Sequence, residues 1–301
     1  MANSPLVSVL IITMNHEKFI EQACRSVISQ TYNNIEIIFL DNKSDDKTFE
    51  LGKAALTKSN IPFTAIENTE RFGVAKNLNI LVSHASGDYI SILSGDDWYT
   101  DNSIEEKVKF IQEKNVDFAL SDGYKYLQNE DRLIDAYSLK TKEKIINSIP
   151  NFFHENVTQN IPINVGVFVK KDLLKEYPFD ENIHAEDWDM NLRLTSLGYR
   201  IGFIDKKLFY YRILSNSLST NWVLMEDAFQ KITKKYIEYI NADNKLKKKY
   251  TVNLLKHKYG VKLSLAKSEK EKRKITKEWK REKYKAKYTQ PILFFKLLFL
   301  K

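Results

Sequence analysis

A chain of 301 residues can bury a full core, and this length is typical of one large domain with an appendage or of two domains. With 43% hydrophobic and 29% charged residues, the composition is ordinary for a soluble globular protein. The single Cys24 excludes an internal disulfide framework, and no stretch reaches the roughly 18 apolar residues of a membrane-spanning helix. Met1 to Pro5 carries no basic residue, so we expect no export signal.

The net charge of +8 is concentrated near the C-terminal end. Between residues 267 and 301 there are 13 Lys or Arg and four Glu, a local net charge of +9, so the rest of the chain sums to −1. The basic character therefore belongs to this tail and says little about what the main domain binds.

The first hundred residues alternate between apolar, β-branched runs and helical patterns of about ten residues. The predicted strands are 7–12, 35–40, 63–66 and 89–93, and the predicted helices are 19–29, 48–58 and 74–83. This alternation indicates βαβ units and a mainly parallel sheet.

The remainder of the chain continues the sheet and then becomes helical. A helix and a strand are predicted over 103–128, a loop with short helices over 133–160, a strand at 165–169, helices at 171–176 and 186–197, and one or two strands over 201–211. Beyond Asn221 the pattern is helical and increasingly charged, so we predict one α/β domain over 1–221 and a helical, basic extension over 222–301.

Polar clusters follow three of the predicted strands, namely Thr13–Asn15, Asp41-Asn42 and Asp96-Asp97. Ligands of open α/β sheets bind beyond the carboxyl ends of the strands, so the three clusters together predict a ligand site. For any one of them alone, a turn is the simpler interpretation, because Asp and Asn favour turns.

Short motifs in a fixed order then point to a family. They are Val7-Ser8-Val9-Leu10-Ile11-Ile12-Thr13-Met14-Asn15, Ser29-Gln30-Thr31-Tyr32, Glu36 to Asp46, Asn68 with Gly73-Val74-Ala75-Lys76-Asn77, Gly87-Asp88-Tyr89-Ile90, Ser94-Gly95-Asp96-Asp97, and Glu186-Asp187 with Tyr211-Arg212. At this spacing the chain resembles the family 2 glycosyltransferases over about Leu6 to Ser219. The resemblance implies the nucleotide-diphospho-sugar transferase fold called GT-A, a Rossmann-like α/β fold with a mainly parallel sheet flanked by helices.

The resemblance also implies a nucleotide-sugar donor, most commonly a UDP-sugar, and hexosyl transfer. By resemblance, Thr13, Asn15 and Asp41 bind the uracil and ribose side of the donor, since a carboxylate accepts hydrogen bonds from a pyrimidine N–H or a ribose hydroxyl. The donor-binding set is completed by Asn42, Asn68, Lys76 and Asp96. Lys76 stands where the family usually has Arg, and the alternative interpretation is a solvated helix lysine.

Asp96 corresponds to the last acid of the family's Asp-x-Asp motif, and Asp97 follows it. Their hard oxygen atoms suit Mn²⁺ or Mg²⁺, although an Asp-Asp pair after a strand is also a common turn and helix cap. Two departures weaken the metal assignment: Ser94 replaces the first acid, and Leu214 stands where a histidine is often found. A metal-independent variant, with Arg212 or Lys76 facing the phosphate charge, stays open. The five histidines show no metal-ligand spacing.

Asp187 is the candidate general base by resemblance. In the family, the Glu-Asp pair opens a helix on the acceptor side, and the Asp removes the proton from the attacking hydroxyl. Attack is then in line, and the anomeric configuration inverts. Glu186 is expected to support Asp187, Trp188 to pack under a sugar ring, and His184 to contact the acceptor or serve the structure. The alternative is that Glu186 and Asp187 only favour a helix N-terminus through its dipole.

The tail predicts a basic helix over 262–287 with Ile275, Trp279 and Tyr284 at helical spacing, followed by an apolar segment over 292–301. A basic and then an apolar segment is typical of an interfacial anchor on an anionic membrane. The sequence therefore favours a cytoplasmic enzyme peripheral to the inner face of the plasma membrane, acting on a lipid-linked glycan in cell-surface polysaccharide biosynthesis. The alternatives are a partner-docking helix or a tail folded back on the protein; nothing supports nucleic-acid binding.

Two other functions stay open. A nucleotidyltransferase shares the α/β topology and acidic metal turns, but the chain lacks an early Gly-rich phosphate loop after the first strand. A catalytically inactive, membrane-bound sugar-nucleotide or scaffold protein is compatible with Ser94 and Leu214.

Overall fold

The computed structural model describes residues 4–214 and 220–288. These form two compact units. The sheet unit contains 4–152, Ile161–Asn182 and Met190–Leu214, and the helical unit contains Phe153–Asn160, Ile183–Asp189 and 220–288. Two short segments that precede residue 214 thus belong to the helical unit. A single domain boundary near residue 221 does not describe this division.

The sheet unit is built on one mixed, mostly parallel sheet of nine strands. The strands are β1 (Val7–Thr13), β2 (Ile35–Asp41), β3 (Phe63–Glu67), β4 (Tyr89–Ser94), β5 (Trp98–Tyr99), β6 (Phe118–Leu127), β7 (Arg132–Asp135), β8 (Phe168–Lys170) and β9 (Ile201–Ile213). Their order is β3-β2-β1-β4-β8-β6-β9-β5, with β7 paired to β6. The α/β prediction is confirmed.

Helices flank the sheet and make up most of the helical unit. They are α1 (Ile20–Ile28), α2 (Thr48–Thr57), α3 (Val74–His84), α4 (Ser103–Lys114), α5 (Leu139–Ser148), α6 (Phe152–Asn156), α7 (Lys171–Glu176), α8 (Glu186–Ser196), α9 (Trp222–Lys235), α10 (Ile237–Ala242), α11 (Asn244–Leu265) and α12 (Glu269–Tyr288). Each predicted helix of the first hundred residues is present within two residues of its expected ends.

Strand register determines where polar side chains can meet. β1 is nearly completely buried and pairs in parallel with β2 on one side and β4 on the other. Thr13 is opposite Asp41, and Ile12 is opposite Ser94. Because parallel strands end at the same edge of a sheet, the three predicted polar clusters lie along one edge.

One later prediction needs correction, and two others become more definite. The strand predicted at 165–169 is only Phe168–Lys170, because Gly166 adopts a left-handed φ of 66° and the chain turns there. The weakly patterned stretch 133–160, predicted as a loop with short helices, contains the helices α5 and α6 and also most of strand β7. The residues 201–211 lie in one strand, whose pairing with β6 shifts register around Asp122.

The basic helix predicted over 262–287 is also wrong as a single helix. α11 ends at Leu265, Ala266 is extended, and α12 begins at Glu269, so the chain forms a helical hairpin. Ile275 and Trp279 pack against a small core that contains Leu255 and Tyr259 of α11. The apolar side of the predicted anchor therefore packs within the hairpin, while the predicted apolar segment 292–301 lies outside the described residues.

Candidate active site

The turn after β1 is tied to the turn after β2. Asn15 has a left-handed φ of 56°, which Asn tolerates better than most residues. Its backbone N–H donates to Ser44 Oγ at 2.8 Å, and its side-chain Oδ1 accepts from the Asp45 N–H at 2.8 Å. Asn15 thus holds the two loops together at the edge of the sheet, where the sequence predicted it.

Asp41 is buried beneath these loops, with 1% of its surface exposed. Its Oδ1 accepts from the Ser44 N–H at 2.8 Å and its Oδ2 from the Ser44 hydroxyl at 2.6 Å. A carboxylate offers about four acceptor positions, so these two bonds orient Asp41 and leave acceptor capacity. Ser44 is a site residue that sequence reasoning did not single out, although it lies within the Glu36–Asp46 motif.

Three asparagine side chains form a buried network behind the loop before α3. Asn42 Oδ1 accepts from the Phe72 N–H at 2.8 Å and from Asn68 Nδ2 at 3.0 Å, and Asn68 Nδ2 also donates to Asn77 Oδ1 at 2.8 Å. Asn42 Nδ2 donates to the Phe72 carbonyl at 2.9 Å. These bonds give Asn42 and Asn68 a role in shaping the loop, and their direct contact with a nucleotide stays a prediction. Asn77 was missed as a member of this network.

Lys76 lies in the first turn of α3, one residue before Asn77. Its ammonium group stands 3.6 Å from the centroid of the Phe72 ring, a cation–π contact that restrains the side chain. The free N–H groups of a helix N-terminus also favour an anion at this end of α3. Lys76 is half-buried rather than the fully solvated lysine of the alternative interpretation.

The turn after β4 passes close to β1. A Cβ atom at Gly95 would lie 2.5 Å from Thr13 Oγ1 and 3.1 Å from His16 Nδ1, so only glycine fits there. Ser94 and Asp96 flank this glycine, and the Ser94 hydroxyl donates to Asp96 Oδ1 at 2.5 Å. Ser94 therefore supports Asp96 as a hydrogen-bond donor where the family motif has a carboxylate.

The two neighbouring acids have different environments. Asp96 is half-buried, whereas Asp97 is 4% exposed and accepts the backbone N–H of Arg212 at 2.8 Å. Burial, and then the charge of Asp96, hold the pKa of Asp97 well above its ordinary value. The prediction that Asp97 ligates a metal does not fit this inward position; Asp97 joins the turn to β9 instead.

Arg212 is likewise a structural residue, which corrects its tentative phosphate-binding role. Its guanidinium donates to the Asp96 carbonyl at 2.8 Å, to Gln22 Oε1 at 2.5 Å and to Gln128. It also stands 4.4 to 5.2 Å from the ring centroids of Phe19, Trp98 and Tyr126. The residue is 4% exposed, so its donors are directed at the protein rather than at a diphosphate.

The fit of a divalent cation rests on Asp96 and one unexpected neighbour. No group of three or more His, Cys, Asp and Glu side chains around a common point occurs within 4–214 and 220–288. His16, however, places its Nε2 4.0 Å from Asp96 Oδ2. Thr13 Oγ1 and His16 Nδ1 are buried polar atoms without a hydrogen-bond partner. The Asp96 carboxylate oxygen and the nearby His16 Nε2 are both suitable ligands for a cation that also binds phosphate oxygens of the substrate.

The predicted acceptor-side residues lie in the helical unit, at the start of α8. Asp187 is half-buried, and its Oδ1 accepts from the Trp188 N–H at 2.7 Å. Burial, and then the charge of Asp187, raise the pKa of Glu186 to about 8. Glu186 is therefore largely protonated near neutral pH. His184 is exposed.

Trp188 does not present a ring face to a sugar. It is 4% exposed, its indole N–H donates to the Asn156 carbonyl at 3.0 Å, and its ring stacks on Phe229 of α9. The predicted sugar contact is replaced by packing inside the helical unit. Asp189 was missed: its buried carboxylate accepts from Lys235 Nζ at 2.7 Å and fixes α9 beside the start of α8.

Comparison with known proteins identifies the family of the chain. The family model described as glycosyl transferase family 2 matches residues 8–176. The chain belongs to glycosyl transferase family 2. This glycosyltransferase is 28% identical over 225 residues to the glycosyltransferase GlyG of Streptococcus pneumoniae, covering 71% of its own length and 73% of that relative. It is 30% identical over 215 residues to an uncharacterized glycosyltransferase of Methanocaldococcus jannaschii, covering 70% and 72%.

Solved structures show the same fold at low sequence identity. The mannosyltransferase PcManGT of Pyrobaculum calidifontis, in complex with GDP-Man and Mn²⁺, has a TM-score of 0.64 at 16% identity, covering 100% of this chain and 89% of that one. S. aureus TarS 1–349 with UDP-GlcNAc has a TM-score of 0.62 at 18% identity, covering 92% and 81%. The fold is therefore GT-A, as predicted. The chain spans 46% of a longer TarS structure.

Proposed function

We propose that this enzyme is an inverting glycosyltransferase that moves a hexose from a UDP-sugar to a hydroxyl of a lipid-linked glycan in cell-surface polysaccharide biosynthesis. The observation that carries the donor assignment is the register that aligns Thr13, Asp41 and the Ser94–Asp97 turn at the ends of three adjacent strands. The complexes of TarS with UDP-GlcNAc and of PcManGT with GDP-Man support a nucleotide sugar in this fold.

The residues of the sheet unit divide the donor between them. Asp41, oriented by Ser44, is the proposed acceptor for the nucleobase or ribose; since it is buried beneath the cross-linked loop at Asn15, that loop has to move for the donor to reach it. Lys76, restrained over Phe72 at the N-terminus of α3, faces the phosphate charge. Asp96 is the carboxylate that would hold Mn²⁺ or Mg²⁺; such an ion, when bound, neutralises the charge that develops on the departing nucleoside diphosphate.

Calorimetric titration with UDP, with and without Mn²⁺, tests the donor assignment. We expect micromolar binding that strengthens when Mn²⁺ is present, and weaker binding of GDP. D41N is expected to weaken UDP binding in both conditions, because it removes a charged acceptor and leaves the metal side intact. Absence of UDP binding in both conditions would overturn the proposal and favour a binding-incompetent scaffold.

Asp187 is proposed as the general base that removes the proton of the attacking acceptor hydroxyl. With its pKa raised to about 8, Glu186 is protonated near pH 7, and the Asp187 carboxylate beside it is the one proposed to take the proton. General-base catalysis contributes about 10²–10⁴-fold. We therefore expect D187N to lose about 10²-fold or more in turnover while UDP affinity is kept.

E186Q is the matched control for D187N. Glutamine mimics the protonated Glu186, so E186Q is expected to keep most of its turnover at pH 7. Unchanged turnover in D187N would refute the base assignment, whereas equal losses in both variants would indicate a structural role of the α8 start.

The tail supports a proposed location at an anionic membrane, with the contact made by charge. α12 contains ten Lys or Arg and four Glu. Because Ile275 and Trp279 pack against α11, the apolar groups that α12 presents outward are the tyrosines Tyr284 and Tyr288, which are 66% and 71% exposed. No helix of the described residues is long and apolar enough to cross a bilayer. A basic helix with exposed tyrosines suits a headgroup layer.

A further inference from the structure

His16 and Asp96 face one another across a gap that neither side chain fills. The distance from His16 Nε2 to Asp96 Oδ2 is 4.0 Å, which is too long for a hydrogen bond. Their side chains are 20% and 16% exposed, so the gap is sheltered but open to a ligand. A single small cation with ligands at 2.0–2.2 Å needs a gap of this order, with minor side-chain rotation.

The other oxygen of Asp96 already has a partner. Ser94 donates its hydroxyl to Asp96 Oδ1 at 2.5 Å, which leaves Oδ2 as the oxygen directed at His16. Ser94 stands where the family motif supplies a carboxylate, and Asp97, the next acid, is turned inward against β9. The turn after β4 therefore offers one carboxylate oxygen, and a second protein ligand has to come from another strand end.

We propose that His16 Nε2 and Asp96 Oδ2 together hold the divalent cation of the donor site, so that the histidine takes the place of the acid missing at Ser94. The inference rests on the proposed function, since the remaining ligands are oxygens of the nucleoside diphosphate. It assigns His16 a role that the spacing of histidines along the sequence did not indicate.

Buried polar atoms around the imidazole fit this assignment. Nε2 can bind a cation only when the ring proton is on Nδ1, and His16 Nδ1 is buried without a partner. Thr13 Oγ1 is also buried and unpartnered. A Cβ atom added at Gly95 would lie 2.5 Å from Thr13 Oγ1 and 3.1 Å from His16 Nδ1, so both atoms border the same small space. A metal-bound histidine usually donates its second ring N–H to an outer acceptor, and the Thr13 hydroxyl is an acceptor at this point that still has no partner.

The backbone fixes where the ring stands. The His16 N–H donates to Thr48 Oγ1 at 2.7 Å, and the His16 carbonyl accepts from the Phe19 and Ile20 N–H groups at the start of α1. Substitution of the side chain leaves these bonds in place. An imidazole ligand also predicts selectivity, because nitrogen ligands favour Mn²⁺ and later first-row metals over Mg²⁺ and Ca²⁺.

Pulsed electron paramagnetic resonance of Mn²⁺ bound together with UDP tests the inference. The unmodified protein is expected to show coupling from one directly bound ¹⁴N nucleus, and labelling with ¹⁵N-histidine should change that coupling without any substitution. H16Q is expected to abolish the coupling and weaken Mn²⁺ binding in the presence of UDP by about tenfold or more. H84Q, at an exposed histidine on α3, is the matched control and should behave as the unmodified protein.

Two outcomes overturn the inference and separate it from the donor assignment. If Mn²⁺ and UDP bind together but no nitrogen coupling appears, or if coupling persists in H16Q, His16 is not a ligand while the proposed function stands. If UDP fails to bind with or without Mn²⁺, the proposed function fails and the cation site with it.

Discussion

At the scale of single residues, Asp96 and Asp97 are adjacent carboxylates with opposite tasks. Asp96 is half-buried at the edge of the sheet, and Asp97 is buried and accepts the Arg212 N–H. Burial favours the protonated form of Asp97, so its pKa is raised, and the neighbouring charge of Asp96 acts in the same direction. One acid is thus available for chemistry, and the other holds the turn against β9.

Substitution by asparagine should separate these tasks. D96N is expected to lose the strengthening of UDP binding by Mn²⁺ while its melting temperature stays close to that of the unmodified protein. D97N keeps an acceptor for the Arg212 N–H and should change stability little, whereas D97A leaves that buried donor unpaired at a cost of about 1–3 kcal/mol. Calorimetry and urea unfolding measure the two effects; loss of Mn²⁺ dependence in D97N alone would return Asp97 to the metal site.

Arg212 provides a second prediction at this scale. Its guanidinium donates to three partners and stands against three aromatic rings, geometry that a lysine ammonium does not reproduce. We expect R212K to lower the free energy of unfolding by about 2–4 kcal/mol. R200K is the control, since Arg200 is 56% exposed and its ion pair with Asp117 is weak. A stable R212K protein with impaired UDP binding would instead support direct phosphate contact.

At the scale of elements, the helical unit packs one histidine among its aromatic rings. His257 of α11 stacks on Phe229 at 4.5 Å and meets the edge of Trp222 at 5.9 Å between centroids. Burial, and then the nearby charge of Lys256, lower the pKa of His257 to about 4. The unfolded chain, with an ordinary histidine pKa near 6.5, takes up the proton first.

Stability should therefore fall in acid through this helix contact. The contribution of the neutral His257 is complete above about pH 6.5 and is lost as the pH falls toward 4. We expect the melting temperature to drop over this window and the drop to be smaller in H257Q, measured by circular dichroism at several pH values. H84Q is the control at an exposed site, and an identical acid dependence in H257Q would contradict the assignment.

At the scale of the whole molecule, charge is distributed unevenly. The stretch 267–301 has a net charge of +9, while the rest of the chain sums to −1. Long-range attraction to an anionic surface is therefore directed through one segment, and it weakens as salt screens the charges.

Vesicle sedimentation tests this asymmetry. The protein is expected to bind vesicles rich in anionic phosphatidylglycerol and to release them at high salt. It is expected not to bind vesicles of phosphatidylcholine alone. A triple variant with Lys274, Lys277 and Arg281 changed to Gln, all exposed on α12, should bind less. A variant with Lys53, Lys58 and Lys114 changed to Gln removes equal charge from the sheet unit; equal loss in both would contradict a specific role of α12.

The sequence by itself determined the strands and helices of the first hundred residues and the edge of the sheet at which the site lies. Both depend on local information: β-branched runs form buried strands, and parallel strands end together, so Thr13, Asp41 and Asp96 had to meet. The family followed from the same short motifs, since they mark the ends of these strands.

Only the tertiary structure decided what each polar side chain does there. Arg212 is held by Gln22 and Gln128, residues far from it in the chain, and no local pattern distinguishes such a buried arginine from one that faces a phosphate. The inward turn of Asp97, the approach of His16 to Asp96 and the packing of Trp279 in the helical hairpin are likewise long-range outcomes. Burial and partners depend on which distant segments meet, and residue type and spacing do not encode that meeting.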